Sequence, residues 1–240
     1  MSRNTQLTRR GFLRSTVAAG GGIAAVGFAG ILGVETPLAG HDSMDDVQTI
    51  LNLAATAETL AVTHYYSALT ARSFRLDAED IEYLKFALDA EQQHLDFLMA
   101  NGGRALTDSF FVPANLLSDP DVFVATTSAA ETAFVGAYLA ATRRFAELGN
   151  PRLAATAAQV ACVESQHLAI ARDIGGLVPN NIALAVPVYY NVSDAVPTLT
   201  PFLRGGSGFI GPVRYPGKAQ VSQALGAVKA IAVPPFTAVF

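Results

Sequence analysis

Two Glu-x-x-His units stand at matched distances from two lone glutamates. Glu58 is followed 33 residues later by Glu91-Gln-Gln-His94, and Glu131 is followed 33 residues later by Glu164-Ser-Gln-His167. Three residues turn a helix by about 300°, so each unit presents a carboxylate and an imidazole on one face. Four carboxylates and two histidines projecting into a four-helix bundle form the ligand set of a dinuclear iron or manganese site. In such a site Glu91 and Glu164 are candidates to bridge two metals. Glu58 and Glu131 would be terminal ligands, and His94 and His167 would bind one metal each. Oxygen-rich ligation with one imidazole per ion suits iron or manganese better than copper, and the lack of thiolate argues against a structural zinc. Two iron ions are the expected cofactor and two manganese ions the alternative.

The surroundings of these glutamates separate this reading from that of an ordinary solvated helix face. Glu131 is the only charged residue between Thr126 and Leu139, Glu164 the only one between Leu153 and Ile170, and Glu58 the only one between Val47 and Ala71. An unpaired carboxylate in such apolar helices costs several kcal/mol. No lysine or arginine lies nearby at helical spacing, whereas two divalent ions would balance four carboxylates.

Other residues could contribute. Tyr65 and Tyr138 each lie seven residues beyond a lone glutamate, hence on the same face and about 10 Å along the helix. They are placed to hydrogen-bond groups around the carboxylates or to donate an electron, and equally to pack in a bundle core. His64 is turned about 120° from the Glu58 face, which puts it beside the ligands or on the surface. Cys162 reads as a small buried residue, Met99 has no haem-ligand context, and His41 falls after the leader segment.

The elements needed to hold the six groups can be read from cap and stop signals. A first helix is expected from about Asp46 to Arg72, with Ser43 as N-cap. A second runs from Ala78 to Ala100, capped by Asp77 and stopped by Asn101-Gly102-Gly103. Asp119-Pro120 starts a third that ends near Gly149, and Asn150-Pro151 starts a fourth that ends at Gly175-Gly176. Short turns make the first pair and the last pair antiparallel hairpins. The 18 residues from Gly102 to Asp119 can span on the order of 60 Å when extended, the length of the bundle. Ala57-Glu58-Thr59 matches Ala130-Glu131-Thr132, and Gln93-His94-Leu95 matches Gln166-His167-Leu168. This internal repeat implies a pseudo-twofold axis through the middle of the bundle.

Composition bounds the remainder. The chain has 240 residues, 15% charged and 51% hydrophobic, with net charge −4. It therefore has no basic footprint for nucleic acid, and the scarcity of charge suggests an oligomer, for which a homodimer is expected. The single cysteine excludes an internal disulfide and a four-cysteine iron centre. Thr8-Arg9-Arg10-Gly11-Phe12-Leu13-Arg14 precedes an uncharged Gly/Ala-rich run, as in a twin-arginine export signal. Seven glycines between Gly11 and Gly33 make a poor membrane-spanning helix. Residues 1–39 are expected to engage the twin-arginine export machinery, with cleavage after Ala39 and delivery to the periplasm or cell envelope; left uncleaved, they would anchor the chain. Residues 43–176 form the bundle, and 177–240 an irregular arm that carries eight of the twelve prolines. One helix is expected in it, Lys218 to Val233. The arm is too apolar for a solvated tail, so it should pack on the bundle or on a partner subunit.

The Glu…Glu-x-x-His…Glu…Glu-x-x-His series over residues 46–176 resembles the ferritin-like superfamily of ferritins, bacterioferritins, rubrerythrins and manganese catalases. With the leader and the Gly/Pro-rich arm, the chain looks most like the exported bacterial branch related to plant desiccation-related proteins. The resemblance implies an all-α, ferritin-like bundle of two antiparallel hairpins joined by a long crossover. It also implies a metal centre that reacts with dioxygen or peroxide, serving iron handling or protection against oxidative or desiccation stress. A rubredoxin-like Cys-x-x-Cys pair is missing, which disfavours a rubrerythrin-type peroxidase, and the arm disfavours a storage shell. The alternatives are a manganese catalase-like disproportionation of peroxide and a non-enzymatic, metal-stabilised protective bundle.

Overall fold

The helices begin where side chains can satisfy the free N–H groups of a first turn. The computed structural model describes residues 44–185 and 189–239. It contains α1 (Val47–Ala71), α2 (Ala78–Ala100), β1 (Ser109–Pro113), α3 (Pro120–Glu147) and α4 (Pro151–Ile174), followed by a 3-10 turn (Val192–Ala195), α5 (Val196–Arg204), β2 (Phe209–Arg214), α6 (Lys218–Leu225) and α7 (Phe236–Val239). Asp77 caps α2, Asp119 caps α3 ahead of Pro120, and Asn150 caps α4 ahead of Pro151. Each such cap is worth about 1 kcal/mol. For α1 the cap is Asp46, whose carboxylate accepts from Thr49 N at 2.7 Å, and not Ser43. Ser43, His41 and the leader all lie outside the described residues.

α2 stops where the chain must turn sharply against its neighbour. Gly102 has φ +91°, and a Cβ on Gly103 would sit 2.9 Å from the carbonyl oxygens of both Leu51 and Leu98. The chain then runs along the bundle to the start of α3, so α1–α2 and α3–α4 are two hairpins joined by one crossover.

Two apolar clusters fill the bundle. One gathers Ile50, Ala54, Leu95, Leu98, Phe145 and Leu153. The other gathers Val62, Leu84, Leu88, Leu116 and Phe123. Fully burying one such side chain contributes about 1.5–3 kcal/mol. Several buried threonines in this interior return their hydroxyls to their own helix, as Thr59 does to Ala55 O at 2.6 Å and Thr63 to Thr59 O at 2.7 Å.

The crossover is not a plain extended link. Its Phe110-Phe111-Val112 stretch forms β1, which pairs antiparallel with β2 of the arm, Phe110 opposite Val213 and Pro113 opposite Phe209. Phe110 is completely buried with Leu60, Phe134, Leu199 and Phe202, so this side of the α1–α3 pair is sealed. The arm helix is shorter than the expected Lys218–Val233: α6 ends at Leu225, where Gly226 takes φ +62°. The arm meets the bundle at several points. Val221 and Leu225 join the second cluster, Tyr215 donates to Gln92 Oε1 at 2.7 Å, and Ser193 N donates to Asp45 Oδ2 at 2.8 Å.

Candidate metal centre

Six side chains from four helices converge between the two apolar clusters. α1 brings Glu58, α2 brings Glu91 and His94, α3 brings Glu131, and α4 brings Glu164 and His167. All four glutamates are at most 1% exposed. They sort into two overlapping groups, Glu58–Glu91–His94–Glu164 and Glu91–Glu131–Glu164–His167, and within each the ligand atoms lie within 4.8 Å of one another. Glu91 and Glu164 belong to both.

The way these two carboxylates are shared is specific. Glu91 offers Oε2 to His94 Nδ1 at 3.2 Å and Oε1 to His167 Nδ1 at 2.9 Å. Glu164 offers Oε1 to His94 Nδ1 at 3.2 Å and Oε2 to His167 Nδ1 at 3.1 Å. Each thus spans the two halves of the site, one oxygen per half. Glu58 reaches only the first half, with Oε2 at 3.7 Å from His94 Nδ1.

The tyrosines complete the symmetry. Tyr65 on α1 donates a short hydrogen bond to Glu131 Oε1 on α3, and Tyr138 on α3 donates one to Glu58 Oε1 on α1. As position advances along α1 its partner retreats along α3, so these helices are antiparallel and the pseudo-twofold axis passes between them. The same reversal relates Glu91–His167 to His94–Glu164 on α2 and α4. Each tyrosine occupies one oxygen of a lone glutamate. The other oxygens, Glu58 Oε2 and Glu131 Oε2, are buried with no hydrogen-bond partner among the described residues.

Protons partly compensate for this charge. Burial, aided by the Glu91 carboxylate, raises Glu58 to about 8, and the same two causes push Glu131 well above the usual carboxylate range. Burial and Glu164 also act to raise Glu91, yet His167 and His94 prevail and hold it below its ordinary value. Burial opposes charge on both histidines, but Glu164 beside His94 and Glu91 beside His167 outweigh it and keep each well above the ordinary imidazole value. Burial and the glutamate it touches hold each tyrosine far above 10. Without metal, then, burial and the crowding of carboxylates favour protons on Glu58, Glu131, His94 and His167, and a metal ion would bind there in competition with protons.

The donor set fits two divalent ions. The orphaned oxygens of Glu58 and Glu131 point into the site, the shared carboxylates link its halves, and each half holds one imidazole among oxygen donors, which suits iron or manganese.

Other positions behave differently from one another. His64 is buried, not at the surface: its Nε2 lies 2.8 Å from Thr127 Oγ1 and its ring stacks on Phe123 with centroids 5.3 Å apart. Burial lowers it to about 4, so it is a neutral group braced against the edge of Tyr65. Cys162 is exposed, contrary to the expectation of a buried thiol; two residues from Glu164 on one helix it points about 200° away from the site. Met99 is exposed as well.

One part of the site has no counterpart in the motif. A cleft of about 830 Å³ lies over His94 and His167 between α2 and α4, and its outer wall is the segment Ala230–Pro235. His94, 13% exposed at the side chain, forms part of its floor.

A family model described as a ferritin-like domain matches residues 45–176, more than half of the chain and all six converging side chains. Comparison with curated proteins and with solved structures returned no match.

Proposed function

The chain belongs to the ferritin-like family, and on that premise we propose that it is an exported dinuclear iron carboxylate protein acting as an oxidoreductase on Fe²⁺ with dioxygen or peroxide. The observation that carries this reading is the sharing of Glu91 and Glu164 between the two halves, one oxygen to each. When bound, two such ions supply a pair of one-electron couples to an oxygen substrate. With peroxide the balance is two Fe²⁺ oxidised to Fe³⁺ as one hydrogen peroxide takes up two electrons and two protons to become two waters.

The chain's own residues prepare the site for this. Tyr65 and Tyr138 hold Oε1 of Glu131 and Glu58, so each terminal carboxylate turns its remaining oxygen inward as a single donor. Burial keeps bulk water out and makes every charge interaction stronger. Glu58 Oε2 and Glu131 Oε2 are the atoms that would exchange protons as metal enters. The Arg9-Arg10 pattern supports delivery to the envelope, and the family resemblance supports iron handling or stress protection as the purpose there.

One observation favours a second reading. Asp96 is the only carboxylate among the described residues lining the cleft, and it is engaged by Lys218 at 2.7 Å and by Gln92 at 2.8 Å. Such a path does not attract Fe²⁺, and it suits resident metals that meet a neutral oxidant. Manganese catalase-like turnover, two hydrogen peroxides giving two waters and one dioxygen, needs no metal flux. Anaerobic loading with Fe²⁺ or Mn²⁺ followed by peroxide separates the two: oxidation of about two Fe²⁺ per peroxide supports the first, dioxygen release without a reductant the second. A protein that loads metal and does neither is the protective bundle.

A further inference from the structure

The cleft over the histidines is built from helix faces that carry almost no charge. Phe86 and Phe97 on α2 and Val163 and Ile170 on α4 face into it, with the carboxamides of Gln93 and Gln166 beside the histidines. These are outward faces, where a solvated helix would carry charge. The ligand stripe and the cleft stripe are neighbours on the same two helices, so the cleft floor is the wall of the candidate metal centre.

The outer wall is fixed in place. Ala230 N donates to Asp89 Oδ2 on α2 at 2.8 Å, and Phe236 N donates to Gln159 Oε1 on α4 at 2.7 Å. The segment between them therefore bridges the two helices, and Pro234-Pro235 stiffens it. Its apolar side chains remain uncovered: Ile231 is 90% and Val233 71% exposed. A wall tethered at both ends preserves a volume that collapse of the arm would otherwise fill.

We propose that this cleft binds a small, uncharged, largely apolar organic molecule and holds it against His94 and His167. The volume lies within the roughly 300–1,000 Å³ typical of small-molecule sites, and the lining has their character, mostly apolar with a few polar groups. Charge argues for the same occupant, since Asp96 is already paired with Lys218 and the charge of His94 and His167 is answered by Glu91 and Glu164 beneath them, so the described lining favours an ion of neither sign. A second copy of this chain is the weaker occupant, because the tethered segment already spans the mouth and would have to be displaced. The role of such a molecule as a substrate of the metal centre rests on the reading given above; its binding does not.

The test uses the full chain and 2-naphthol as probe, whose fluorescence can be followed because the protein contains no tryptophan. One equivalent should bind, with or without metal. Ala90→Phe, which fills the cleft, should weaken binding by at least about tenfold, the effect of about 1.4 kcal/mol of lost contact. Val233→Asp, on an exposed part of the wall that cannot unfold the bundle, should weaken it severalfold. Both variants should bind as many metal ions as the unaltered chain. Absence of binding, or equal binding by all three proteins, overturns the proposal. So does a dimer, seen by sedimentation, that Val233→Asp dissociates and naphthol does not affect. Naphthol binding by a chain that takes up no metal would instead sink the metal reading and leave this one standing.

Discussion

Replacing Glu58 by glutamine should strengthen the metal-free fold and weaken metal binding, two effects of opposite sign from one atom. Burial and the neighbouring Glu91 raise the Glu58 carboxyl from 4.5 to about 8. Neutral pH lies about 2.5 pH units above the ordinary value, so keeping the group protonated at pH 7 costs the fold about 3 kcal/mol relative to an unfolded chain that ionises freely. The sign follows from the raised value: the penalty is absent below pH 4.5, grows as pH rises, and levels off above about 8. Glutamine is neutral throughout and can still accept from Tyr138. The value of about 8 already includes the pull of His94, whose Nδ1 lies 3.7 Å from Glu58 Oε2; an amide beside that ring fits less well than the protonated carboxyl, which brings the net gain to about 1–3 kcal/mol at pH 7. In a domain of this size that is a rise of several degrees in Tm, at about 2–4 °C per kcal/mol. The assay is urea or thermal unfolding in chelator, repeated with Fe²⁺ or Mn²⁺ under nitrogen. Metal should stabilise the unaltered chain more than Glu58→Gln. A Glu58→Gln protein less stable than the parent in chelator at pH 7, or equally stabilised by metal, would refute the reasoning.

Three further outcomes follow from the same geometry. Tyr138→Phe leaves Glu58 Oε1 without its donor, so the variant should keep its metal content but lose an order of magnitude or so in rate, read as a fall in kcat at nearly unchanged stoichiometry. His64 is held neutral in the fold at about 4, whereas the unfolded chain takes up its proton near 6.5; stability should therefore be intact above pH 6.5 and decline by about 3 kcal/mol as pH falls towards 4. His64→Gln should flatten that part of a pH series of urea midpoints, and an unchanged slope would count against the assignment. Gly103→Ala places a methyl 2.9 Å from two carbonyl oxygens and should destabilise by about 1–3 kcal/mol, read as a lowered urea midpoint; an unchanged midpoint would count against the close approach.

Much of the bundle could be read in the chain because local and global signals agreed. Asp77, Asp119-Pro120 and Asn150-Pro151 are caps whose chemistry acts within one turn, and the two Glu-x-x-His units needed only helical spacing to share a face. Convergence of the six groups was legible because a buried charge is too costly to leave unexplained. What escaped depended on distant partners. β2 contains Gly211-Pro212, which demotes a stretch as a strand, and its pairing with β1 bridges about a hundred residues of chain. Gly226 ends α6 early by adopting a positive φ that no local pattern announced. Cys162 was misjudged for a different reason: residue type suggested burial, while its spacing from Glu164 already pointed it outward. The wall of the cleft could not be seen at all, since its tethers to Asp89 and Gln159 exist only once the arm has wrapped.

The most direct test is anomalous diffraction from crystals of the full chain grown with Fe²⁺ or Mn²⁺ under nitrogen. The account predicts two peaks about 3.5–4 Å apart, both flanked by Glu91 and Glu164, one next to Glu58 and His94 and the other next to Glu131 and His167. A single peak, peaks elsewhere on the molecule, or six side chains in their present positions with no metal between them would contradict it.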